Sequence, residues 1–251
     1  MELTTLFTGR NRLRFEELAS TNDYLAAAQR NGKLPEGSVV TTLYQHGGKG
    51  QAGNRWHSQT GANLLCSFLF YPSSLSADRV FHLQLFASLA VCETVTILSG
   101  AEATVKWPND VYLHDRKVAG ILPENVVLSN AVRQSIIGIG LNVNQVDFPS
   151  DIPIPVSIAQ VKGQMSPLDD VLHILCNQLE KRYLQLQRGD HAGLLDVYLN
   201  RLYRKGEWAR YESAGEEFEG RIKGIDAIGR LVIEYKNGTE KPFAFREVAY
   251  R

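Results

Sequence analysis

The stretch KWPNDVYLHDRKVAGIL, residues 106–122, is the most informative part of this sequence for the fold, because it joins a polar cluster to a predicted β-hairpin. Residues 111–113 and 117–122 are largely apolar and flank an Asp-Arg turn, which predicts two paired strands. Such a hairpin would bring Lys117 close to Asp110. A lysine beside a carboxylate is usually a surface ion pair of small energetic value, so this stretch alone leaves the function open.

Outward from this hairpin, the sequence predicts a larger α+β domain at residues 1–204 and a small β-barrel at residues 205–251. In the first domain, strands are predicted at residues 38–44, 62–71, 103–107 and 135–143, and helices at residues 20–32, 78–98 and 167–188. In the second, short strands are predicted at residues 208–212, 218–225, 231–235 and 242–245. Asn237-Gly238 is a strong hairpin signal between the last two.

Composition excludes several classes of protein. The chain has 251 residues, with 27 Lys plus Arg against 27 Asp plus Glu, so no nucleic-acid partner is expected. The longest apolar run, residues 64–71, is shorter than the roughly 18 residues of a membrane span. The N-terminus lacks the apolar stretch of a secretory signal, so a soluble, cytoplasmic protein is expected. Cys66, Cys92 and Cys176 are widely spaced in apolar contexts and are predicted to be buried thiols.

A glycine loop at residues 47–61 contains G-x-G-x-x-G at residues 48–53. A dinucleotide fingerprint would open a helix there, whereas this sequence continues as polar loop and then as a strand, so that class of site is rejected. Glycine content alone would favour a disordered surface loop. Lys49, Arg55 and Trp56 favour a second interpretation, because cations, backbone donors and one large aromatic suit an anionic ligand that contains a ring.

Three further features carry two interpretations each. The S-T-N sequence at residues 20–22 can cap a helix, line a site, or do both. Trp107 can be core or part of a ligand pocket. Gly138 and Gly140 alternate within an apolar strand, which allows close approach by another strand or by a ligand.

Together these motifs resemble the biotin protein ligase family over nearly the whole chain. The residues that carry the resemblance are S-T-N at 20–22, Gln45, G-K-G at 48–50, Trp56, K-W-P-N-D at 106–110, D-R-K-V-A-G-I-L at 115–122 and G-I-G-L-N at 138–142. The segment from residue 223 onward is similar to the SH3-like barrel of the family. Only 19 residues precede Ser20, so the resemblance is to the form without an N-terminal DNA-binding domain.

The resemblance implies a fold and an activity. It implies a mixed sheet with packed helices, followed by an SH3-like barrel. It also implies ATP-dependent formation of biotinyl-5′-AMP and transfer of biotin to a lysine of a biotin carboxyl carrier domain. Biotin, ATP and Mg²⁺ would be substrates or co-substrates with no tightly bound prosthetic group, no membrane partner is implied, and a homodimer is left open.

The resemblance also assigns roles to residues. Lys117 is expected to bridge the biotin carboxylate and the α-phosphate, with Asp110 orienting it or approaching Mg²⁺ with the phosphates. The expected biotin-binding residues are Ser20, Thr21, Asn22, Gln45, Gly48, Lys49, Gly50, Gln51, Trp107, Lys117 and Gly120. The expected ATP-binding residues are Lys49, Trp56, Asn109, Lys117 and Asn142.

One segment departs from the family pattern. The family loop is commonly G-R-G-R-R-G-R-x-W, whereas residues 48–56 read G-K-G-Q-A-G-N-R-W. Lysine lacks the bidentate fork of arginine, so weaker retention of the adenylate is expected. Two alternative functions remain open, a lipoate ligase or octanoyltransferase on the same fold and a non-catalytic biotin-binding module. A polar S-T-N site suits an aliphatic acid poorly, and a binding module would have no use for Lys117 and Asp110.

Overall fold

The computed structural model describes residues 3–150 and 152–251, which fold around two β-sheets. Met1, Glu2 and Asp151, all inside the predicted first domain, lie outside the described residues. The helices are α1 (Thr21–Asn31), α2 (Phe81–Ser99), α3 (Ile158–Lys162), α4 (Leu168–Gln187) and α5 (His191–Asn200). The strands are β1 (Arg12–Leu18), β2 (Val39–Gln45), β3 (Leu64–Phe70), β4 (Ala103–Lys106), β5 (Asp110–Leu113), β6 (Arg116–Leu128), β7 (Ala131–Leu141), β8 (Trp208–Ser213), β9 (Glu216–Ile225), β10 (Leu231–Tyr235), β11 (Glu240–Phe243) and β12 (Ala249–Tyr250). The predicted α+β fold class is confirmed.

The first sheet has seven strands in the order β1-β2-β3-β7-β6-β5-β4. β1 and β2 are parallel and joined through α1, and the other neighbours are antiparallel, which makes the sheet mixed. α1 covers one face, where Leu25 packs with Val40, Leu69 and Ile136. α2 and α4 pack on the main core of the other face. Because β3 is covered on both faces, all its side chains are buried, which explains its unbroken apolar sequence.

α2 is the central core helix of the domain. Residues 77–99, which include it, are long and apolar enough to cross a membrane by length and composition alone. However, 67% of the apolar window of this segment is buried inside the fold. Leu85, Phe86 and Leu89 are almost completely shielded from solvent. The apolar character of α2 is therefore accounted for by packing.

The second sheet has five antiparallel strands in the order β11-β10-β9-β8-β12. Around the predicted Asn237-Gly238 turn, Tyr235 N–H donates to Thr239 O at 2.8 Å and Gly238 adopts a φ of 83°. This left-handed conformation favours glycine. The predicted domain boundary after residue 204 lies between two residues that contact different sheets. The Tyr203 N–H donates to Val105 O on β4, whereas Lys205 forms a β-bridge with Ile222 on β9.

Several elements differ from the sequence prediction. β6 and β7 continue as a long hairpin beyond the predicted ends, and β12, α3 and α5 were not predicted as separate elements. The sequence pattern is extended from residue 15 up to the start of α1, and the structure has β1 there, beginning earlier at Arg12. α4 begins at Leu168 with Pro167 as its N-cap, so the prediction that Ser166 caps the helix was wrong by one residue. Ser166 is instead held through its backbone by the Asn144 side chain. The three cysteines are free and buried, as predicted.

Candidate active site

A cavity of about 530 Å³ lies between the N-terminus of α1, the glycine loop, strands β6 and β7, and the end of the second sheet. Predicted site residues that line it are Ser20, Thr21, Asn22, Gln45, Lys49, Gly50, Gln51, Trp56, Trp107, Asn109, Asp110, Lys117 and Gly120. Gly48 and Asn142 are not among the lining residues in the described part of the chain. Residues from distant parts of the sequence therefore converge on one cavity.

Residues 20–22 form the polar end of this cavity. Ser20 caps α1, since its Oγ accepts a hydrogen bond from Asp23 N at 3.4 Å, and it also lines the cavity. The two interpretations of this motif are thus compatible. Gln45 Oε1 accepts from the Thr21 N–H at 2.7 Å and lies 3.1 Å from Thr21 Oγ1, so the helix start and the end of β2 are joined by side-chain hydrogen bonds.

The β5–β6 hairpin brings Lys117 to Asp110, as the sequence predicted. Lys117 Nζ lies 2.7 Å from Asp110 Oδ1, and both side chains are partly exposed to the cavity. The Lys117 backbone is held by residues 154–156, because its N–H donates to Ile154 O and its carbonyl accepts from Val156 N, each at 2.9 Å. The Lys117 ammonium group therefore projects from an anchored strand, where it pairs with the Asp110 carboxylate and also faces the open cavity.

The glycine loop follows a hydrogen-bonded path. Trp56 N–H donates to Gly48 O at 3.0 Å, and Gly50 N–H donates to Asn54 O at 2.7 Å. Gly48 shapes this turn, because a Cβ at that position would lie 2.6 Å from Trp56 O. Lys49 Nζ donates to Asp23 Oδ1 at 2.6 Å, and this hydrogen bond raises the pKa of Lys49. Lys49 thus holds the loop to α1 at the cavity rim.

The Trp56 indole lies over two bare backbone positions of the first sheet. Gly120 and Gly140 are direct partners in the β6–β7 ladder, and Trp56 atoms fall within 3.0 Å of where either glycine would carry a Cβ. Lys117 Nζ is 5.7 Å from the Trp56 ring centroid. Trp56 Nε1 is buried and has no hydrogen-bond partner among the described residues. The close approach predicted for the strand glycines is therefore made by an aromatic side chain.

Trp107 lies where the two sheets meet. Its Nε1–H donates to Gly229 O at 2.8 Å, and its ring packs edge-on against Phe245 at 6.4 Å between centroids. It is buried in the main core and also lines the cavity, so both interpretations of Trp107 have a structural basis.

The two predicted asparagines have different positions. Asn109 lines the cavity and donates to Ile121 O at 3.2 Å. Asn142 is buried, and its side chain donates to Val156 O at 3.2 Å. Its backbone joins Val118 and Ile158, so Asn142 fixes the segment that precedes α3.

Sequence reasoning missed a wall of the cavity. Residues 245–250 of the second sheet contribute to it, and these include Phe245, Val248 and Tyr250. Lys106, the first residue of the K-W-P-N-D motif, was not predicted to line the site, but the structure places it there. Its Nζ lies 3.1 Å from Tyr112 Oη and 4.7 Å from the Tyr250 ring centroid, and burial lowers the pKa of Lys106. The available signal in the sequence was the position of this lysine, directly before Trp107 in the K-W-P-N-D motif.

Comparisons with known proteins agree with this architecture. Residues 15–142 match the biotin/lipoate A/B protein ligase family, and residues 210–248 match the biotin protein ligase C-terminal domain. The bifunctional ligase/repressor BirA of Bacillus subtilis is 30% identical over 233 residues, which cover 92% of this chain and 71% of BirA. The biotin--[acetyl-CoA-carboxylase] ligase of Paracoccus denitrificans is 29% identical over 231 residues, which cover 89% of this chain and 95% of that protein.

A solved structure shares the fold. The biotin protein ligase from Aquifex aeolicus, in complex with biotin and ATP, superposes with a TM-score of 0.80 at 23% identity, covering 96% of this chain and 99% of that one. An α+β domain with a deep polar and cationic cavity, closed by an SH3-like sheet, defines the class of protein. The chain belongs to the biotin/lipoate A/B protein ligase family.

Proposed function

We propose that this protein is an ATP-dependent biotin protein ligase. The observation that carries the proposal is one cavity in which hydrogen-bonding side chains at residues 20–22 and Gln45 lead to Lys117, paired with Asp110. The relatives named as biotin ligases support it. The chemistry needs both parts, because a ureido ring must be bound by hydrogen bonds and two anions must be brought together.

The polar end suits the ureido ring of biotin. That ring carries one carbonyl acceptor and two N–H donors, and none of these can be buried without a partner at low cost. Ser20, Asn22 and Gln45 present hydroxyl and amide groups there. Trp107 and Gly120 would border the apolar part of the ligand.

In the first half-reaction, a biotin carboxylate oxygen attacks the α-phosphorus of ATP. The bond between this phosphorus and the oxygen bridging it to the β-phosphate breaks, and pyrophosphate leaves. Both reactants are anions, so a cation between them stabilises the crowded transition state. Lys117 is assigned this role. Asp110 holds the Lys117 ammonium group at 2.7 Å and so limits its freedom before the substrates bind.

The nucleotide is assigned to the side of the cavity that holds Trp56 and Asn109. The Trp56 indole offers a flat apolar surface to a base, and Lys49 and Lys106 add positive charge at the rim and at the second sheet. Gly48 and Asn142 would act indirectly by shaping the loop and the sheet, since neither lines the cavity in the described residues.

Mg²⁺ would arrive with ATP. In the described part of the chain, no group of three His, Cys, Asp or Glu side chains could hold a metal ion. Mg²⁺ in nucleotide sites is commonly held by one or two carboxylates together with phosphates, and Asp110 fits that pattern. The metal would neutralise phosphate charge.

In the second half-reaction, the ε-amine of an acceptor lysine attacks the acyl carbonyl of biotinyl-5′-AMP. An amide forms, AMP leaves and the amine loses a proton. The acceptor is proposed to be a biotin carboxyl carrier domain, and the place of action the cytoplasm. A closed glycine loop would keep water from the adenylate until the acceptor arrives.

The test combines two measurements on the full chain. ATP–pyrophosphate exchange is measured with biotin and, separately, with lipoate, and mass spectrometry then follows an acceptor domain incubated with protein, biotin and MgATP. Biotin-dependent exchange and a biotinylated lysine are expected. Exchange with lipoate only would indicate the lipoate ligase alternative, and biotin binding without exchange would indicate a non-catalytic module.

A further inference from the structure

A chain of side-chain hydrogen bonds lies beneath the polar end of the cavity and includes two residues that the motifs did not reveal. Ser67 on β3 is fully buried, and its Oγ lies 2.7 Å from Thr21 Oγ1 and 2.6 Å from Asn22 Oδ1. On the other side, Asn22 Nδ2 donates to Leu122 O at 3.3 Å and to Glu124 Oε2 at 3.1 Å. The Asn22 carboxamide is thus held at both ends.

These partners fix which end of each amide faces which neighbour. Leu122 O and the Glu124 carboxylate only accept hydrogen bonds, so the Asn22 NH₂ group must face them. Its Oδ1 must then accept from the Ser67 hydroxyl. Gln45 is fixed by the same logic, because its Oε1 accepts from the Thr21 backbone N–H, which can only donate.

The fixed orientations determine what a ligand meets. Both N–H groups of the Asn22 side chain donate to partners within the protein. The only hydrogen-bonding group that this side chain can still offer a ligand is therefore an acceptor lone pair on Oδ1. Gln45 Oε1 is occupied by Thr21, so its remaining capacity is the donor group Nε2. The polar end therefore offers an acceptor from Asn22 and a donor from Gln45, which matches an N–H beside a carbonyl.

We propose that Glu124 is a positioning residue that fixes the Asn22 carboxamide with its oxygen toward the ligand and thereby selects a ureido group. Ser67 secures the same orientation from the opposite side. This inference rests on the proposed function, because it names biotin as the ligand whose ring N–H is recognised. Without Glu124, Asn22 could turn its NH₂ group toward that N–H, where two donors would face each other.

The charge of Glu124 offers a competing explanation. The pKa of Lys49 is raised first by its hydrogen bond to Asp23 and to a smaller extent by the charge of Glu124. A loss of function in Glu124→Ala could therefore arise through Lys49. Glu124→Gln separates the two explanations, because it removes the charge but keeps an oxygen that can accept from Asn22.

The binding experiment compares these two variants by calorimetry. Glu124→Ala should raise the Kd of biotin about tenfold or more, since a hydrogen bond to a charged group is lost, while the Kd of ATP stays within about threefold. Glu124→Gln should stay within about threefold of the unmodified protein for both ligands. In an Asn22→Ala background, Glu124→Ala should have little further effect. Equal losses in both Glu124 variants, or additive losses in the double variant, would overturn the proposal.

A second measurement does not depend on biotin. With ¹⁵N-labelled asparagine, the Asn22 side-chain NH₂ signal should be protected from solvent exchange in the unmodified protein and in Glu124→Gln, and should lose protection in Glu124→Ala. Ser67→Ala should weaken protection while the global unfolding transition is retained. Protection without biotin binding would refute the proposed ligand and leave the positioning role intact. An Asn22 signal unchanged by Glu124→Ala would refute the positioning role itself.

Discussion

Two glycines on β7 offer a paired test of how the cavity is divided between ligands. Gly138 and Gly140 alternate on the strand, so they present the same face of the sheet. A Cβ on Gly140 would lie 2.7 Å from Trp56 Cδ2 and Nε1. A Cβ on Gly138 would lie 3.0 Å from Asn22 Cγ and closer still to its Oδ1. Gly140→Ala must therefore displace the indole, and Gly138→Ala must displace the carboxamide.

The expected magnitudes follow from these contacts. Forcing a methyl group into a filled space costs about 1–3 kcal/mol. The displaced side chain relieves this cost in the free protein and meets it again when it must return to its place to bind the ligand, and the same energy then corresponds to roughly 5- to 150-fold in a dissociation constant. Gly140→Ala should weaken ATP binding by a factor in this range while biotin binding changes little, because Trp56 is assigned to the nucleotide. Gly138→Ala should show the reverse. Gly120→Ala is a milder test of the same indole contact, since a Cβ on Gly120 would lie 3.0 Å from Trp56 Cζ3. This variant should weaken ATP binding less than Gly140→Ala does. Because Gly120 is also assigned to the apolar part of biotin, only its effect on ATP binding is compared.

Calorimetry with biotin and with a non-hydrolysable ATP analogue measures both constants, and tryptophan fluorescence reports movement of Trp56. Trp56→Phe identifies its share of the signal, because the chain has 3 tryptophans. If Gly138→Ala and Gly140→Ala weaken the same ligand equally, or if Gly140→Ala leaves ATP binding unchanged, the division of the cavity is wrong.

Three further predictions concern charge. Lys117→Ala should slow single-turnover pyrophosphate release by roughly 100-fold or more, because each charged hydrogen bond is worth about 1.5–3 kcal/mol. The Tm of this variant should change little. Release within a few-fold of the unmodified protein would contradict the role assigned to Lys117. Lys49→Ala should speed dissociation of preformed biotinyl-AMP and Gln51→Arg should slow it, and an unchanged rate in Lys49→Ala would make Lys49 a solvated loop residue. Burial lowers the pKa of both His82 and His191, so the unfolded chain binds protons first and the free energy of unfolding should fall as pH drops below 6.5. Urea unfolding at several pH values should show a smaller fall in His82→Gln, and identical slopes would refute this.

The contact between Lys117 and Asp110 was predictable because its geometry is local. Asp110 and Lys117 lie on adjacent strands of one hairpin, and the turn between them is evident from the sequence. The helix start at residues 20–22 was predictable for a similar reason, since capping depends on a few consecutive residues. In both cases a short segment contains all the information that the contact requires.

The rest of the site depends on contacts between distant segments. Ser67 and Glu124 meet Asn22 from 45 and 102 positions along the chain, and no local pattern marks either of them. The alternating glycines correctly indicated close approach, but the approaching residue, Trp56, comes from a loop whose path depends on the tertiary fold. Tyr250 was missed because β12 has only two residues.

The wall that residues 245–250 give to the cavity also limits how such chains can be recombined. Trp107 donates to Gly229 O, and Gly229 packs on Phe81, so the second sheet is seated on the first domain at a fixed place. Exchanging this sheet with that of a relative would also exchange part of the cavity wall. The two parts of the cavity wall, one from each domain, therefore have to change together in evolution, although they are separate in sequence.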